Sequence, residues 1–315
     1  MDNPNIEMHY YLPNKSHSMN AIVRNKCEAE LLALFIEAAN TLGVQFELES
    51  QAYIEGGLKE IWKALGDNNN QITILLIIIT ILLSRIPVAD PEREALDTEL
   101  TKLQIQEKKL QIKKLRDELG QEAPNPNLTE KAVSVLNKNP KIVVRRSNFY
   151  KHLSAYPKVK SVSVTPFNFN NQPSHDEETV PRNEFSKFIL RSHAFPAMVT
   201  DDAIIEIISP VLKEGKYKWK GIFQDESLSF TMLDYEFQGL VLREEITFQH
   251  GTYIECVLNQ HRKLDEVGEI IVTGYTVTTV IRKFDDRQSI ETNLGRKYKH
   301  AKKLKESQDD MFDKD

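Results

Sequence analysis

The sequence predicts an α+β protein with a small N-terminal β-α-β unit, one apolar transmembrane helix, a coiled-coil helix and a C-terminal α+β domain with a mainly antiparallel sheet. Three observations predict it. Ile72–Leu83 reads ITILLIIITILL, twelve residues without a charge. Residues 92–119 are almost all Glu, Lys, Leu, Gln and Ile. Beyond residue 200, short runs such as Leu228, Phe230 and Met232 alternate with Ser227, Ser229 and Thr231, the period of a half-buried strand.

The first unit, residues 1–66, opens with alternation over Ile6–Leu12, and a turn over 13–18 follows. Met19–Leu42 is expected to be a helix, since Val23, Cys27, Leu31, Leu34, Phe35, Ala38 and Leu42 recur at helical spacing and Gly43 is a natural stop. Val44–Ile54 alternates again, Gly56-Gly57 breaks it, and Leu58–Leu65 reads as a helix leading into the apolar run. A unit this small buries little surface, so packing against copies of itself is expected.

Residues 67–88 hold the apolar run. A helix apolar on every side belongs in a membrane or in the centre of a packed bundle. With Ser84, Arg85 and Ile86 the run lies between the length of a core helix and that of a spanning one. Trp62 upstream and Arg85 downstream suit interfacial anchors and favour the membrane; the alternative is a buried core helix. Thr73, Thr80 and Ser84 share nearly one helical face, so they are candidates to line a pore with Arg85 at its mouth.

Residues 89–120 are expected to form a coiled-coil stalk. Leu96, Leu103 and Leu110 repeat by sevens, as do Ile105, Ile112 and Leu119. A linker at 121–127 leads to a ligand-sensing domain at 128–284. That domain starts with a helix (129–136), a strand (141–144), a helix capped by Ser147, a strand (159–164), a polar loop and a helix (182–190). Strands at 203–212, 217–223, 228–233, 247–258 and 269–282 complete it. Residues 285–315 form a charged tail.

A net charge of −5 gives no global case for nucleic acid, so local patches must make it. Cys27 and Cys256 are single and far apart, which suggests neither a disulfide framework nor a zinc site. The sequence lacks a Gly-Lys-Ser phosphate loop, G-x-G-x-x-G, H-E-x-x-H and G-x-S-x-G, and its eight histidines are scattered. Asp201-Asp202 reads as the end of an element rather than a metal pair. No enzyme activity, metal or cofactor is expected. Two clusters suit an anion. Lys141, Arg145, Arg146, Tyr150 and Lys151 would combine guanidinium groups with a helix N-terminus at Ser147. Lys216, Lys218 and Lys220 would share one strand face while Tyr217 and Trp219 turn to the other. Unpaired lysines on an edge strand are the plainer explanation of the second cluster.

The succession of small domain, apolar helix, charged coiled coil and β-rich sensor resembles bacterial phage-defence membrane effectors, such as the channel-forming effector of the Hailong system. The likeness is one of architecture and carries over no site residue. It implies a single-pass protein of the bacterial inner membrane, with a cytoplasmic C-terminal domain. Such a protein would be a homo-oligomer (a tetramer is one candidate) gated by an anionic nucleotide or short oligonucleotide. Its partners would be the lipid bilayer and an enzyme that makes the nucleotide. Two further readings are an oligomeric interaction scaffold, soluble or membrane-tethered, and a nucleic-acid-binding protein without catalysis.

Overall fold

The computed structural model describes residues 3–16, 18–50, 58–88, 113–115, 117–118 and 126–312, with side chains to residue 304. The chain forms two compact units. The first comprises Met1–His193 together with Leu264–Glu269; the second comprises Ala194–Lys263 and Ile270–Asp315.

The first unit is built on a five-stranded antiparallel sheet of order β2-β3-β1-β4-β5. Its strands are β1 (Asn5–Tyr11), β2 (Glu47–Ser50), β3 (Leu58–Leu65), β4 (Ser161–Phe167) and β5 (Glu178–Pro181). The segments expected to lie in two domains, 1–66 and 128–190, therefore share one sheet. β1 alternates as expected, with Ile6, Met8 and Tyr10 turned into the core. Leu58–Leu65 is a strand and not a helix. Its Leu58, Glu60, Trp62 and Ala64 face inward, and pairing with both β1 and β2 outweighs a composition of good helix formers.

This unit includes the helices α1 (Ala21–Leu42), α2 (Asn69–Ser84), α3 (Pro126–Asn137) and α4 (Pro140–Ser154). α1 starts where the Asn20 side chain accepts the amides of Ile22 and Val23, and it stops at Gly43, whose φ is 70°. α4 replaces the strand expected at 141–144. Asn139 caps it by accepting the Lys141 amide, and Pro140 takes the first helical position, where its missing N–H costs nothing.

The apolar run is α2, and it is the core of this unit. No described helix is long and apolar enough to cross a membrane. The transmembrane helix, and the channel and membrane assignments built on it, are therefore corrected. α2 has 16 residues, and every side chain from Ile72 to Thr80 is buried. It packs on β1, β4 and β5 on one side and on α1 and α3 on others, so an all-apolar surface meets protein in each direction. The expected pore face is part of this interior. Thr73, Thr80 and Ser84 turn their hydroxyls back to the carbonyls of Asn69, Leu76 and Thr80, at 2.8, 2.9 and 2.6 Å. Arg85 stands at no pore mouth: its Nε donates to Glu178 on β5 at 2.7 Å.

Most of the expected coiled coil and linker lies outside the described residues. Of the described part, Leu115 is buried in the first unit's core, though neither heptad stripe includes it.

The second unit is a barrel. Its strands are β6 (Ala194–Ser209), β7 (Trp219–Phe223), β8 (Glu226–Met232), β9 (Tyr253–Leu264) and β10 (Ile270–Phe284), with β11 (Ser289–Glu291) added outside β10. Pairing runs β6-β7-β8-β10-β9 and returns from β9 to β6; β8–β10 is parallel, and β6–β7, β7–β8, β6–β9 and β10–β11 are antiparallel. Ile205, Trp219, Phe230, Ile254 and Val277 fill the interior. The short helix α5 (Tyr235–Leu242) links β8 to β9 and plugs the barrel with Phe237 and Val241. Asp234 fixes it, its two carboxylate oxygens accepting the amides of Phe237 and Val280. The expected charged tail is helical as α6 (Asn293–Phe312) and packs on β10. Gly295 makes that approach possible, since a Cβ there would fall 2.2 Å from the Ile281 carbonyl oxygen.

Candidate nucleic-acid interface

The two basic clusters meet opposite fates. In the first, helix α4 spreads the side chains around its circumference. Arg146 points inward and is fully buried; it donates to the Leu82 carbonyl at 2.7 Å and to Asn137 at 2.8 Å, and its Nε has no partner among the described residues. Burial pulls its pKa down to about 10. Tyr150, also buried, donates to the Leu83 carbonyl and stacks on Phe188, and burial pushes its phenol up. Both thus satisfy the open carbonyls at the C-terminal end of α2, where a cation also suits the helix dipole.

The remaining members of that cluster are engaged or isolated. Arg145 pairs with Glu30 at 3.1 Å, and Lys141 with Glu269 at 2.8 Å, a bond that raises the Lys141 pKa. Lys151 alone stands exposed. Ser147 is in mid-helix and accepts the Leu190 amide, so Arg145 and Arg146 adjoin no helix N-terminus. The structure does not bring these five residues together as an anion site.

The second cluster lies at the start of β7 and in the loop before it. Between Ser209 and Gly221 the chain carries four lysines, Lys213, Lys216, Lys218 and Lys220, against one acid, Glu214. All four are exposed, and among the described residues none has an acid within 4 Å. Trp219 points the other way, as expected, and is fully buried against Phe230, Phe237 and Phe248. Tyr217 does not follow it into the core. It precedes the strand, stays 56% exposed, and lays its ring against Gly215, where a Cβ would stand 2.7 Å from the ring.

Register places the outward neighbours. Lys220 faces Ser229 on β8 and Ser209 on β6, and Ile222 lies between Ser227 and Glu206. Ile204 and Ile208 on β6 and Leu212 in the loop are exposed, at 50, 55 and 69%. The outer surface of β6, β7 and β8 therefore alternates exposed aliphatic groups, hydroxyls and free ammonium groups, with one aromatic ring at its edge. Such a surface can meet phosphates with its lysines and base faces with Tyr217 and the isoleucines. The expected strand face holds for Lys220 and Trp219 within β7, whereas Lys213, Lys216 and Lys218 lie in the loop before it. The apolar half was missed because Ile204, Ile208 and Leu212 look like core residues in sequence.

Two other polar groupings are internally satisfied. Asp201 accepts from Tyr298, and Asp202 pairs with Lys302 where β6 bulges, so both aspartates hold α6. On the outer face of the first sheet, Tyr11 donates to Glu177 at 2.8 Å, and bonds from Ser163 and Tyr11 hold that carboxyl below its usual range. Among the described residues no group of three or more histidines, cysteines or carboxylates converges as a metal site would. Compared with protein-family models, curated proteins and solved structures, the chain matches none.

Proposed function

We propose that the protein binds single-stranded nucleic acid, or a short oligonucleotide, on the outer face of β6–β7–β8 and the β6–β7 loop, and does so without catalysis. One observation carries this reading: four lysines without an acidic partner among the described residues stand on the second strand, and the loop before it, of a five-stranded barrel. That barrel has the partly open Greek-key order of the oligonucleotide/oligosaccharide-binding fold, with its one parallel pair and its helix between the third and fourth strands. In barrels of that order the face of strands two and three and the loop between strands one and two commonly hold the ligand. The fold gives only the analogy; the lysines, Tyr217 and the exposed isoleucines supply the chemistry. The phosphate-bearing ligand class expected from sequence is retained, whereas the membrane channel is not.

Fluorescence anisotropy of a labelled oligothymidylate, titrated with the full chain at several salt concentrations, tests the reading. Binding should weaken with salt, log K falling with a slope of about −0.7 per phosphate contacted. Lys218→Glu with Lys220→Glu should lower affinity at least tenfold, and Tyr217→Ala should weaken it without changing the salt slope. Affinity unmoved by the lysine pair would sink the proposal.

A further inference from the structure

The barrel leaves one stretch of backbone open. β10 pairs with β9 along one edge, and along the other it joins β8 at Tyr275, opposite Phe230. Over Ile270–Gly274 its second edge has no strand partner among the described residues. Natural edge strands are guarded by lysine, proline, a bulge or brevity. This one reads Ile-Ile-Val-Thr-Gly-Tyr-Thr-Val over 270–277, with no charge and no proline. Ile270, Ile271 and Val272 are consecutive and 44, 38 and 45% exposed, so apolar groups emerge on both faces of the strand. An uncharged, β-branched run of that kind is a template for another strand.

Gly274 adds a second observation. A glycine inside a strand weakens it, and one placed there commonly marks where another backbone comes close. Its φ is not positive, and a Cβ there would have no atom within 4 Å. The room beside it is unused by the chain itself.

We infer that this edge pairs antiparallel with the same edge of a second copy, about a two-fold axis near Val272. That register sets Val272 opposite its own copy, Ile271 opposite Thr273, and Ile270 opposite Gly274. The bulky isoleucine thus meets the residue without a side chain, and no charge faces another across Ile270–Gly274. A charged partner strand would find no counter-ion here, whereas the strand's own copy brings none. The same surface on both subunits is the form a two-fold interface takes.

The register is open to a direct test in the full-length protein. Directly opposed residues in an antiparallel pair have Cα atoms about 4.5 to 5.5 Å apart, within disulfide range. Val272→Cys should therefore give a covalent dimer under mild oxidation, read on a non-reducing gel. The native Cys27 and Cys256 are fully buried and do not compete. Leu212→Cys, exposed in the β6–β7 loop, is the control and should stay monomeric on the gel. Adding Ile271→Lys to Val272→Cys should abolish the cross-link; Thr273→Lys serves as the second disrupting variant. A Val272→Cys chain that stays uncrosslinked, or that crosslinks no faster than Leu212→Cys, would overturn the inference.

Discussion

Arg146 and Lys218 belong to basic clusters that look alike in sequence, and the structure uses them in opposite ways. In the first unit the cationic and phenolic groups of α4 turn inward and close the end of an apolar helix. In the second unit the lysines of β7 and its loop turn outward and, among the described residues, have no acid within 4 Å. A basic residue informs about ligands only once its own structural debts are known. Arg146 stands beside a helix whose last carbonyls need donors; Lys220 stands on a strand between Ser209 and Ser229, which ask for none, and Lys218 comes just before that strand.

The largest effect that separates the two clusters is on stability. Arg146→Ala should cost about 2–5 kcal/mol, because it opens a cavity and strands the Leu82 carbonyl and Asn137. Urea unfolding of the full chain measures it. Oligonucleotide affinity, taken where the variant is still folded, should not change. Lys218→Glu with Lys220→Glu should reverse the pattern, shifting affinity by about 1.4 kcal/mol or more. Its stability should stay within about 0.5 kcal/mol of the parent. Equal losses of stability in both variants would erase the contrast.

A pH titration sharpens the comparison further. Burial lowers the pKa of His9, with Lys59 adding to it, and burial likewise lowers that of His152; both residues lie in the first unit. A folded pKa below the unfolded value means the stabilising contribution is complete above about pH 6.5 and fades as pH falls through the folded value. The first unit should therefore lose stability on acidification from neutral pH. Intrinsic fluorescence of Trp62, in the first unit, against Trp219, in the barrel, can follow the two separately. His9→Asn with His152→Asn should flatten the dependence reported by Trp62.

The smallest expected effect concerns α2. Thr80→Val removes a hydroxyl that bonds only to its own helix, at Leu76. Stability should move by less than about 1 kcal/mol. A loss of several kcal/mol would show that the hydroxyl has a partner outside the helix.

Local pattern sufficed for α1, β1, β7 and β8, where one buried face leaves its period in the sequence. It misled at Leu58–Leu65, whose strand character depends on β1 and β2 lying on either side. At Lys141–Val144 the β-branched residues suggested a strand, although Asn139 and Pro140 already spelled a helix start. The apolar run was ambiguous by length. Its resolution lies in α1, α3, β4, β5, Arg146 and Tyr150, most of them far along the chain. Of the lysine half of the candidate interface, alternation assigns a face to Lys220 within β7, whereas Lys216 and Lys218 lie before the strand, where alternation does not apply. Its apolar half, and the parallel β8–β10 pairing that completes the barrel order, arise from long-range closure and leave no local trace.

The turn Leu264–Glu269 belongs to the first unit although both strands it joins belong to the second. There Glu269 meets Lys141, the Glu266 carbonyl meets Asn148, and Gly268 comes so near α4 that a Cβ would fall 2.5 Å from the Lys141 Cα. A ribosome making this chain from its N-terminus releases the first 193 residues long before that turn exists. The first unit can reach its finished form only after four strands of the barrel have been synthesised. Birth order and completion order are thus inverted, and a nascent chain arrested before residue 269 would carry both units unfinished.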